Sequence, residues 1–353
     1  MGKFITGIQQ VGIGVKDACE AKHLYKVLFG MDVLIFEDKA AAALMTRYTG
    51  TEVHHRHAIL SLNMAGGGGF EIWQFTSREP VKPAMLPRLG DLGIFAVKIK
   101  SRDVQAAHSY FSGLDNVKLS AIYTSPDDRP HFWLTDPYGN HFNIVEGDEW
   151  FKTDRGICGG VVGAVIGVSD MDKAQHFYKS VLGIDEVVYS GEAPMHDVPP
   201  EEPAGAHCKR ILLKKQVANK GAFSKLLGAV QIELIQNTEL TPQKIYDNRY
   251  WGDCGFIHIC FDALDMDSLK SNSTKSGYCF TVDSANSFDM GEAAGRFCYV
   301  EDPDGTLIEL VETHKVPVLK KFGWYLNLKK RKEKGHKRLP DWVIGMMALN
   351  KIR

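Results

Sequence analysis

Apolar residues follow two different periods along this chain, and the two periods alternate in a regular order. Stretches such as GIQQVGIGV (7–15) and GFIHICF (255–261) are apolar throughout or at alternate positions, which predicts buried or half-buried strands. The stretches 17–29 and 170–182 instead place apolar residues three and four apart, which predicts helices. A glycine follows each of these two stretches, as is common where a helix ends.

The same order of elements recurs four times. The segment VGIGVKDACEAKHLYKVLFGMDV (11–33) returns as AVIGVSDMDKAQHFYKSVLGIDEV (164–187), and WLTDPYGNHFNIVEG (133–147) returns as YVEDPDGTLIELVET (299–313). Each unit contains a strand, a helix and three further strands, and a D-P-x-G turn joins the last two strands in the second and fourth units. We therefore predict four βαβββ modules, at about 5–76, 92–148, 159–237 and 254–314.

These repeats resemble the vicinal oxygen chelate superfamily, which includes glyoxalase I, bleomycin-resistance proteins and extradiol dioxygenases. The resemblance rests on the HLYKVLFGMDV and HFYKSVLGIDEV helices and on the DPDGTLIELVE ending, and it covers residues 5–314. It implies an α+β fold in which the four modules pair into two cupped eight-stranded mixed sheets, with a divalent metal ion in a cup. We expect residues 1–150 to hold the first pair of modules, 155–314 the second pair, and 315–353 a basic C-terminal extension.

By this resemblance, each module offers up to two metal ligands, one on its first strand and one on its last. The first module offers Gln10 and Glu71, and the fourth offers His258 and Glu309. The second and third modules offer the weaker set Ile94, Asn143, Gly163 and Glu233. Isoleucine and glycine have no side-chain ligand atom, so the fourth module anchors any site and the first is its expected partner. A pairing of His258 and Glu309 with Glu233 stays open.

The ligand set Gln10, Glu71, His258 and Glu309 suits Zn, Ni, Co or Mn better than Fe. Such an ion polarises a carbonyl held through two vicinal oxygens, and Glu309 or Glu71 is the expected base for the adjacent C–H. This predicts a metal-dependent lyase- or isomerase-like proton transfer on a small molecule. One alternative is an extradiol-type iron dioxygenase, which by resemblance needs two histidines and one carboxylate. The other is a non-catalytic small-molecule binding or resistance protein.

Charge, hydropathy and cysteine content indicate which binding partners and which cellular compartment to expect. The 42 basic and 43 acidic residues give a net charge of −1, which provides no electrostatic basis for binding nucleic acid. No apolar stretch reaches the length that spans a bilayer, so we expect no membrane span. The seven cysteines are odd in number and irregularly spaced, which favours a reducing, cytoplasmic compartment. Because one chain holds all four modules, we expect a monomer or a homodimer.

The C-terminal extension differs from the rest of the chain. Residues 315–353 contain 12 Lys or Arg and 2 acidic residues, which leaves a net charge of −11 on the first 314 residues. We interpret the run KKRKEKGHKR (329–338) as a solvated charged segment, with a clamp for an anionic substrate or surface as the alternative. After Pro340 the pattern predicts a helix that carries Trp342, Met346 and Leu349 on one face.

Overall fold

The computed structural model describes residues 4–154, 156–285, 288–289, 294–319, 323–329 and 336–352. Each quarter of the chain forms one βαβββ module. The first contains β1 (Ile5–Gly14), α1 (Ala18–Phe29), β2 (Val33–Ala41), a 3-10 helix (Ala43–Tyr48), β3 (His55–Leu62) and β4 (Gly69–Phe75). The second contains β5 (Gly93–Ser101), α2 (Val104–Ser112), β6 (Lys118–Leu119), β7 (Tyr123–Thr124), β8 (Pro130–Thr135) and β9 (His141–Glu146).

The second half of the chain repeats this order and adds the extension. The third module contains β10 (Cys158–Gly167), α3 (Met171–Ser180), β11 (Glu186–Met195), β12 (Ala206–Lys215), α4 (Ser224–Leu227) and β13 (Val230–Asn237). The fourth contains β14 (Gly255–Ala263), α5 (Met266–Lys275), β15 (Phe280–Asp283), β16 (Phe288–Asp289), β17 (Ala294–Glu301) and β18 (Leu307–Leu319). The extension contains β19 (Trp324–Asn327), α6 (Asp341–Met346) and a 3-10 turn (Met347–Leu349).

The first helix of every module begins after an aspartate that caps it. These N-caps are Asp17, Asp103, Asp170 and Asp265. The Asp17 carboxylate accepts hydrogen bonds from the backbone N–H groups of Cys19 and Glu20, a contact worth about 1 kcal/mol of helix stability. Gly30 then ends α1 in the left-handed conformation, at φ 63°. Local sequence signals therefore fix where these helices start and, for α1, where it stops.

The strands form two curled mixed sheets, each built along a path of eight strands, as the sequence predicts. In the first sheet the order is β15-β17-β18-β14-β1-β4-β3-β2, with β16 beside β17 and β19 beside β18. In the second sheet the order is β11-β12-β13-β10-β5-β9-β8-β6, with β7 beside β8. The first sheet thus joins the first and fourth modules, and the second sheet joins the second and third. The two halves of the sequence, 1–150 and 155–314, therefore share both sheets.

A core of aromatic and aliphatic side chains fills the space between the two sheets, where the module helices pack. Tyr25 of α1 contacts Phe142 of β9 edge to face at 6.1 Å, and its hydroxyl donates to Asp136 at 2.9 Å. The repeat places Tyr178 and Asp302 in the same relationship at 3.2 Å. Each aspartate belongs to a D-P-x-G turn. In both halves of the chain, therefore, a tyrosine on the helix of one module hydrogen-bonds to the turn of the next module.

The C-terminal extension covers one side of the concave face of the first sheet. Val343, Ile344 and Met347 are buried in the apolar cluster that lines this cup, whereas Trp342 and Leu349 are exposed. The predicted helix after Pro340 is therefore present. Of the three residues predicted for its apolar face, Met346 packs against this cluster, whereas Trp342 and Leu349 do not. The helix ends after only six residues and continues as a 3-10 turn, which rotates the buried positions away from those of a longer helix.

Three further expectations from the sequence concern a membrane span, the basic run and the cysteines. Among the described residues, no helix is both long and apolar enough to cross a membrane. Most of the basic run 329–338 lies outside the described residues, so its two interpretations stay predictions. All seven cysteines are described, and each is a free thiol.

Candidate metal centre

The concave face of the first sheet encloses a cavity of about 290 Å³. Its floor lies on the four central strands β18, β14, β1 and β4, which bring residues from the first and fourth modules together. Gln10 is on β1, Glu71 on β4, His258 on β14 and Glu309 on β18. The antiparallel pairing of β1 with β14 joins the two halves of this floor.

The structure brings these four side chains into one buried cluster. The ligand atoms of Glu71, His258 and Glu309 all lie within 4.8 Å of one another. His258 Nε2 is 3.1 Å from Glu309 Oε2 and 3.4 Å from Glu71 Oε2. Gln10 Nε2 donates to Glu309 Oε2 at 3.4 Å. The fourth module therefore meets the first at this cluster.

The cluster carries two carboxylates and one imidazole. Burial disfavours the imidazolium, but the carboxylates of Glu309 and Glu71 outweigh this effect and raise the pKa of His258 to about 9. In the protein without metal, His258 is thus the cation between two anions at neutral pH. A divalent cation bound at the same place would take over that role, and its binding would displace a proton.

Tyr299 of β17 orients the imidazole from behind. Its hydroxyl oxygen lies 3.3 Å from His258 Nδ1, and its ring meets the imidazole edge to face at 5.5 Å. Burial and the Glu309 carboxylate raise the pKa of Tyr299 well above its usual value, so the phenol stays protonated. In the neutral imidazole that a metal ion requires, an Nδ1–H that donates to the Tyr299 oxygen would leave the lone pair of Nε2 facing the carboxylates.

Two polar atoms in the cluster are left without hydrogen bonds. Among the described residues, neither Gln10 Oε1 nor His258 Nε2 has a hydrogen-bond partner, although both are fully buried. The contacts of Nε2 with Glu71 and Glu309 are close but not aligned as hydrogen bonds. Buried polar atoms are normally paired, so these two unpaired atoms mark the place of a missing partner. Amide oxygen, imidazole and two carboxylates together fit a divalent ion of the zinc, nickel, cobalt or manganese type.

An irregularity in β1 makes both glutamines face the cavity. The register against β14 shifts between Ile8 and Gln10, and both Gln9 and Gln10 line the cavity. Gln9 Nε2 donates to Thr313 Oγ1 at 3.0 Å, so its amide is engaged at the side wall rather than in the cluster. Cys260 is fully buried, with Sγ 3.8 Å from Gln9 Oε1.

The second sheet holds no comparable metal cluster among the described residues; its cup is occupied by ion pairs instead. Lys98 Nζ lies 2.5 Å from Glu233 Oε2, and Arg210 contacts both Glu233 and Asp197. Burial opposes ionisation of Glu233, but Arg210 and Lys98 hold the pKa of its carboxyl far below the usual value. Glu233 thus forms ion pairs with Lys98 and Arg210 in the second sheet, whereas His258 and Glu309 lie in the first.

The strand register corrects one of the positions assigned from the sequence. In the fourth module, the last-strand residue Glu309 pairs with Cys260 on the first strand, and the first-strand position His258 lies two residues before Cys260. The first and third modules show the same offset of two residues. In the second module Asn143 pairs with Lys98, which places the matching position at Ala96. The assignment of Ile94 is therefore wrong by two residues. The apolar run 92–97 has no polar residue to fix its register.

Several residues of the site escaped the sequence reasoning. Tyr299 pairs directly with Glu309 across the β17–β18 ladder, and the intervening D-P-x-G turn contains the signal for that register. Trp73 and Trp251 also line the cavity, and their rings meet at 4.4 Å. No sequence signal points to Trp251, because it lies in the loop between β13 and β14.

Fold and site define a class of protein: duplicated βαβββ modules whose first and last strands converge on a cluster of potential metal ligands in a cupped sheet. Residues 164–299 match the family model described as the glyoxalase/bleomycin resistance protein/dioxygenase superfamily. This match covers most of the third and fourth modules. No curated protein sequence matches the chain.

Solved structures with the same fold include two long relatives of low sequence identity. Glyoxalase I from Zea mays is 14% identical with a TM-score of 0.53, and the match covers 87% of this chain and 92% of that one. A putative dioxygenase from Bacillus subtilis is 15% identical with a TM-score of 0.55, and the match covers 88% of this chain and 86% of that one. At these identities the likeness establishes the fold.

Proposed function

We propose that this protein is a divalent-metal-dependent enzyme that moves a proton next to the chelated carbonyl of a small molecule, as a lyase or isomerase. The observation that carries the proposal is the convergence of Gln10, Glu71 and Glu309 on the floor of a cavity, with the fully buried imidazole of His258 against the two carboxylates. The unpaired atoms Gln10 Oε1 and His258 Nε2 support a resident cation, which would bind once His258 loses its Nε2 proton. A bound ion of this kind supplies Lewis acidity to a carbonyl oxygen and acidifies the neighbouring C–H.

The chain itself supplies the base. Glu309 is held by Gln10 at 3.4 Å and lies beside His258 at 3.1 Å. Glu71 has a looser contact, at 3.4 Å from His258. Because fewer contacts restrain it, Glu71 is the better placed carboxylate to take the substrate proton, and Glu309 is the second candidate. Their burial removes competing water, which keeps the abstracted proton within the site.

The composition of the cluster disfavours iron-dependent oxygen chemistry. The dioxygenase alternative needs two histidines and a carboxylate, and the cluster has the amide of Gln10 where a second histidine is required. We therefore place zinc, nickel, cobalt or manganese above iron at this site. With seven free thiols, we propose a cytoplasmic enzyme. Its substrate is a small molecule with vicinal oxygens, and both sheets lie within one chain, so a monomer or homodimer suffices.

Metal content is the first test. Untagged wild type, His258→Ala and Gln10→Ala are reconstituted with each metal and measured by elemental mass spectrometry, with Glu233→Gln as the control in the second sheet. We expect one ion per chain in wild type and in the control, and substantial loss in the other two variants. Iron as the tightly bound metal would favour the dioxygenase, and an absence of metal after reconstitution would leave the binding-protein alternative.

Proton transfer is tested separately from metal binding. The loaded protein is incubated with 2-hydroxyacetophenone in D₂O, and exchange of the protons between its carbonyl and hydroxyl groups is followed by NMR. Wild type should accelerate the exchange, and Glu71→Gln should lose most of this acceleration while still binding metal. If Glu309→Gln alone abolishes exchange at full metal occupancy, the base is Glu309.

A further inference from the structure

We infer that the substrate is a neutral, largely apolar molecule that carries a hydrogen-bond-accepting oxygen beyond its two chelating oxygens. This inference deepens the proposed function and rests on it for the chelating end of the molecule. The part of the cavity above the cluster carries the rest of the argument, because it does not depend on the metal.

The wall of the cavity is apolar. Apart from the cluster and its neighbouring glutamine, most side chains that line it are aliphatic or aromatic. They include Phe36, Leu60, Phe223, Leu227, Phe297 and Val316. Residues 40–43 are four consecutive alanines on one side, and their small side chains leave space for the ligand. A ligand gains about 25 cal/mol for each Å² of apolar surface that it buries here.

The wall has few positively charged groups that could bind an anion. Arg56 is the single lysine or arginine among the described residues that line the cavity. Its guanidinium is held by the Asp38 carboxylate at 2.9 Å and by the Asp38 carbonyl at 3.0 Å. The same group lies 4.9 Å from the centre of the Trp73 ring. The Arg56 charge is thus balanced within the protein, and a ligand carboxylate or phosphate entering the cavity loses hydration without gaining a free counter-charge.

Two donors in the wall are unpaired. Among the described residues, the indole N–H groups of Trp73 and Trp251 have no hydrogen-bond partner. Both side chains line the cavity and are about 5% exposed or less. Indole nitrogen is a donor only, and a buried donor without a partner costs about 1–3 kcal/mol. Both indole nitrogens are covered by neighbouring atoms, so a substrate oxygen reaches one of them only when the ring turns toward the cavity. An ether, ester or ketone oxygen then satisfies that N–H group, which a purely hydrocarbon molecule cannot do.

The test uses two hydroxamates of equal chain length, hexanohydroxamic acid and the monohydroxamate of adipic acid, whose far end is a carboxylate. Affinities for the metal-loaded protein are measured by calorimetry. We expect the carboxylate analogue to bind about 100-fold more weakly, because its charge is buried without a partner. Leu44→Lys places a cation on the half-exposed side chain of Leu44 in the cavity wall and should reduce this discrimination. Leu240→Lys, at an exposed position outside the cavity lining, should not.

A second probe separates this inference from the metal proposal. N-Phenyl-1-naphthylamine is neutral and fluoresces in apolar surroundings, and it should bind the metal-free protein and be displaced by 2-methoxynaphthalene. Trp251→Phe should weaken the methoxy compound more than naphthalene, because only the former accepts a hydrogen bond. Equal affinity for the two hydroxamates, or no binding of the fluorescent probe, overturns the substrate class. Probe binding with no metal-dependent hydroxamate binding supports the substrate class and contradicts the metal proposal.

Discussion

The imidazole of His258 lies against Gly12 on the neighbouring strand, so closely that a Cβ at residue 12 would come within 2.4 Å of Cε1. The two residues are direct partners in the antiparallel ladder that joins the first and fourth modules. The absent side chain on one module therefore makes room for the proposed ligand on the other.

Gly12→Ala should displace the His258 ring and weaken metal binding by at least about 100-fold, because the new Cβ would lie within 3 Å of three atoms of the ring. The added methyl should also lower the free energy of unfolding by about 1–3 kcal/mol. Calorimetric metal titration and urea unfolding measure the two effects. Gly191→Ala is the matched control, since a Cβ at this strand position meets nothing within 4 Å. Unchanged metal affinity in Gly12→Ala would contradict the assignment of His258 as a ligand.

Tyr299→Phe removes the hydroxyl beside His258 Nδ1 and keeps the ring. Without the partner that fixes the tautomer, metal affinity should fall by about 10–100-fold. The expected loss of stability is only about 1 kcal/mol. The control is Tyr189→Phe, which removes a buried hydroxyl 2.6 Å from Glu233 in the second sheet. Metal titration should separate the two variants, and equal affinities would show that the Tyr299 hydroxyl does not position the ligand.

The ion pair between Lys98 and Glu233 should show strong coupling. Lys98→Met leaves Glu233 with one cation fewer, and breaking a buried pair in this way costs about 3–5 kcal/mol. The double variant Lys98→Met, Glu233→Met removes both charges and leaves Arg210 with Asp197, so it should be less destabilised than the sum of the single variants. Urea unfolding of the four proteins gives the coupling energy. Additive effects would mean that the pair is not energetically linked, and metal content should stay at the wild-type value throughout.

The pH dependence of stability should contain a contribution from His141. Burial lowers the pKa of His141 from 6.5 to about 4, and Glu201 opposes this shift only in part. The unfolded chain therefore binds a proton between pH 6.5 and 4 that the native protein does not, so this contribution is complete above pH 6.5 and is lost as the pH falls toward 4. The loss should reach about 3 kcal/mol, at 1.36 kcal/mol per unit of pKa shift.

Denaturant unfolding of wild type and His141→Leu between pH 7.5 and 4 isolates this effect. As the pH falls, the unfolding free energy of wild type should decrease relative to that of His141→Leu. The raised pKa values of Asp136 and Asp302, about 6 each, contribute a trend of opposite sign, but they are common to both proteins and cancel in the difference. Parallel curves for the two proteins would contradict a native pKa well below 6.5.

Much of the architecture follows from sequence signals that act over a few residues. The helical periodicity, the glycines that follow 17–29 and 170–182, and the D-P-x-G turns are local signals, so four βαβββ modules can be recognised without a structure. The repeats resemble the vicinal oxygen chelate superfamily, and it is this resemblance that indicates His258 and Glu309 as candidate ligands. Where the local signal is weak the prediction failed, as in the uniform apolar run that contains Ile94 and in the short helix before Leu349.

Only the tertiary structure decided which modules share a sheet and what surrounds the proposed ligands. Hydrophobic periodicity shows that β1 and β14 are buried strands, but many pairings of such strands bury similar area, and the choice depends on contacts between residues more than 200 positions apart. The sequence, through its resemblance to a known family, therefore predicted Gln10 and His258 as ligands on the first strands of their modules and Glu71 and Glu309 as ligands on the last strands. Folding decided that they meet, that Lys98 and Arg210 neutralise Glu233 elsewhere, and that Trp251 and the C-terminal extension close the cavity above them.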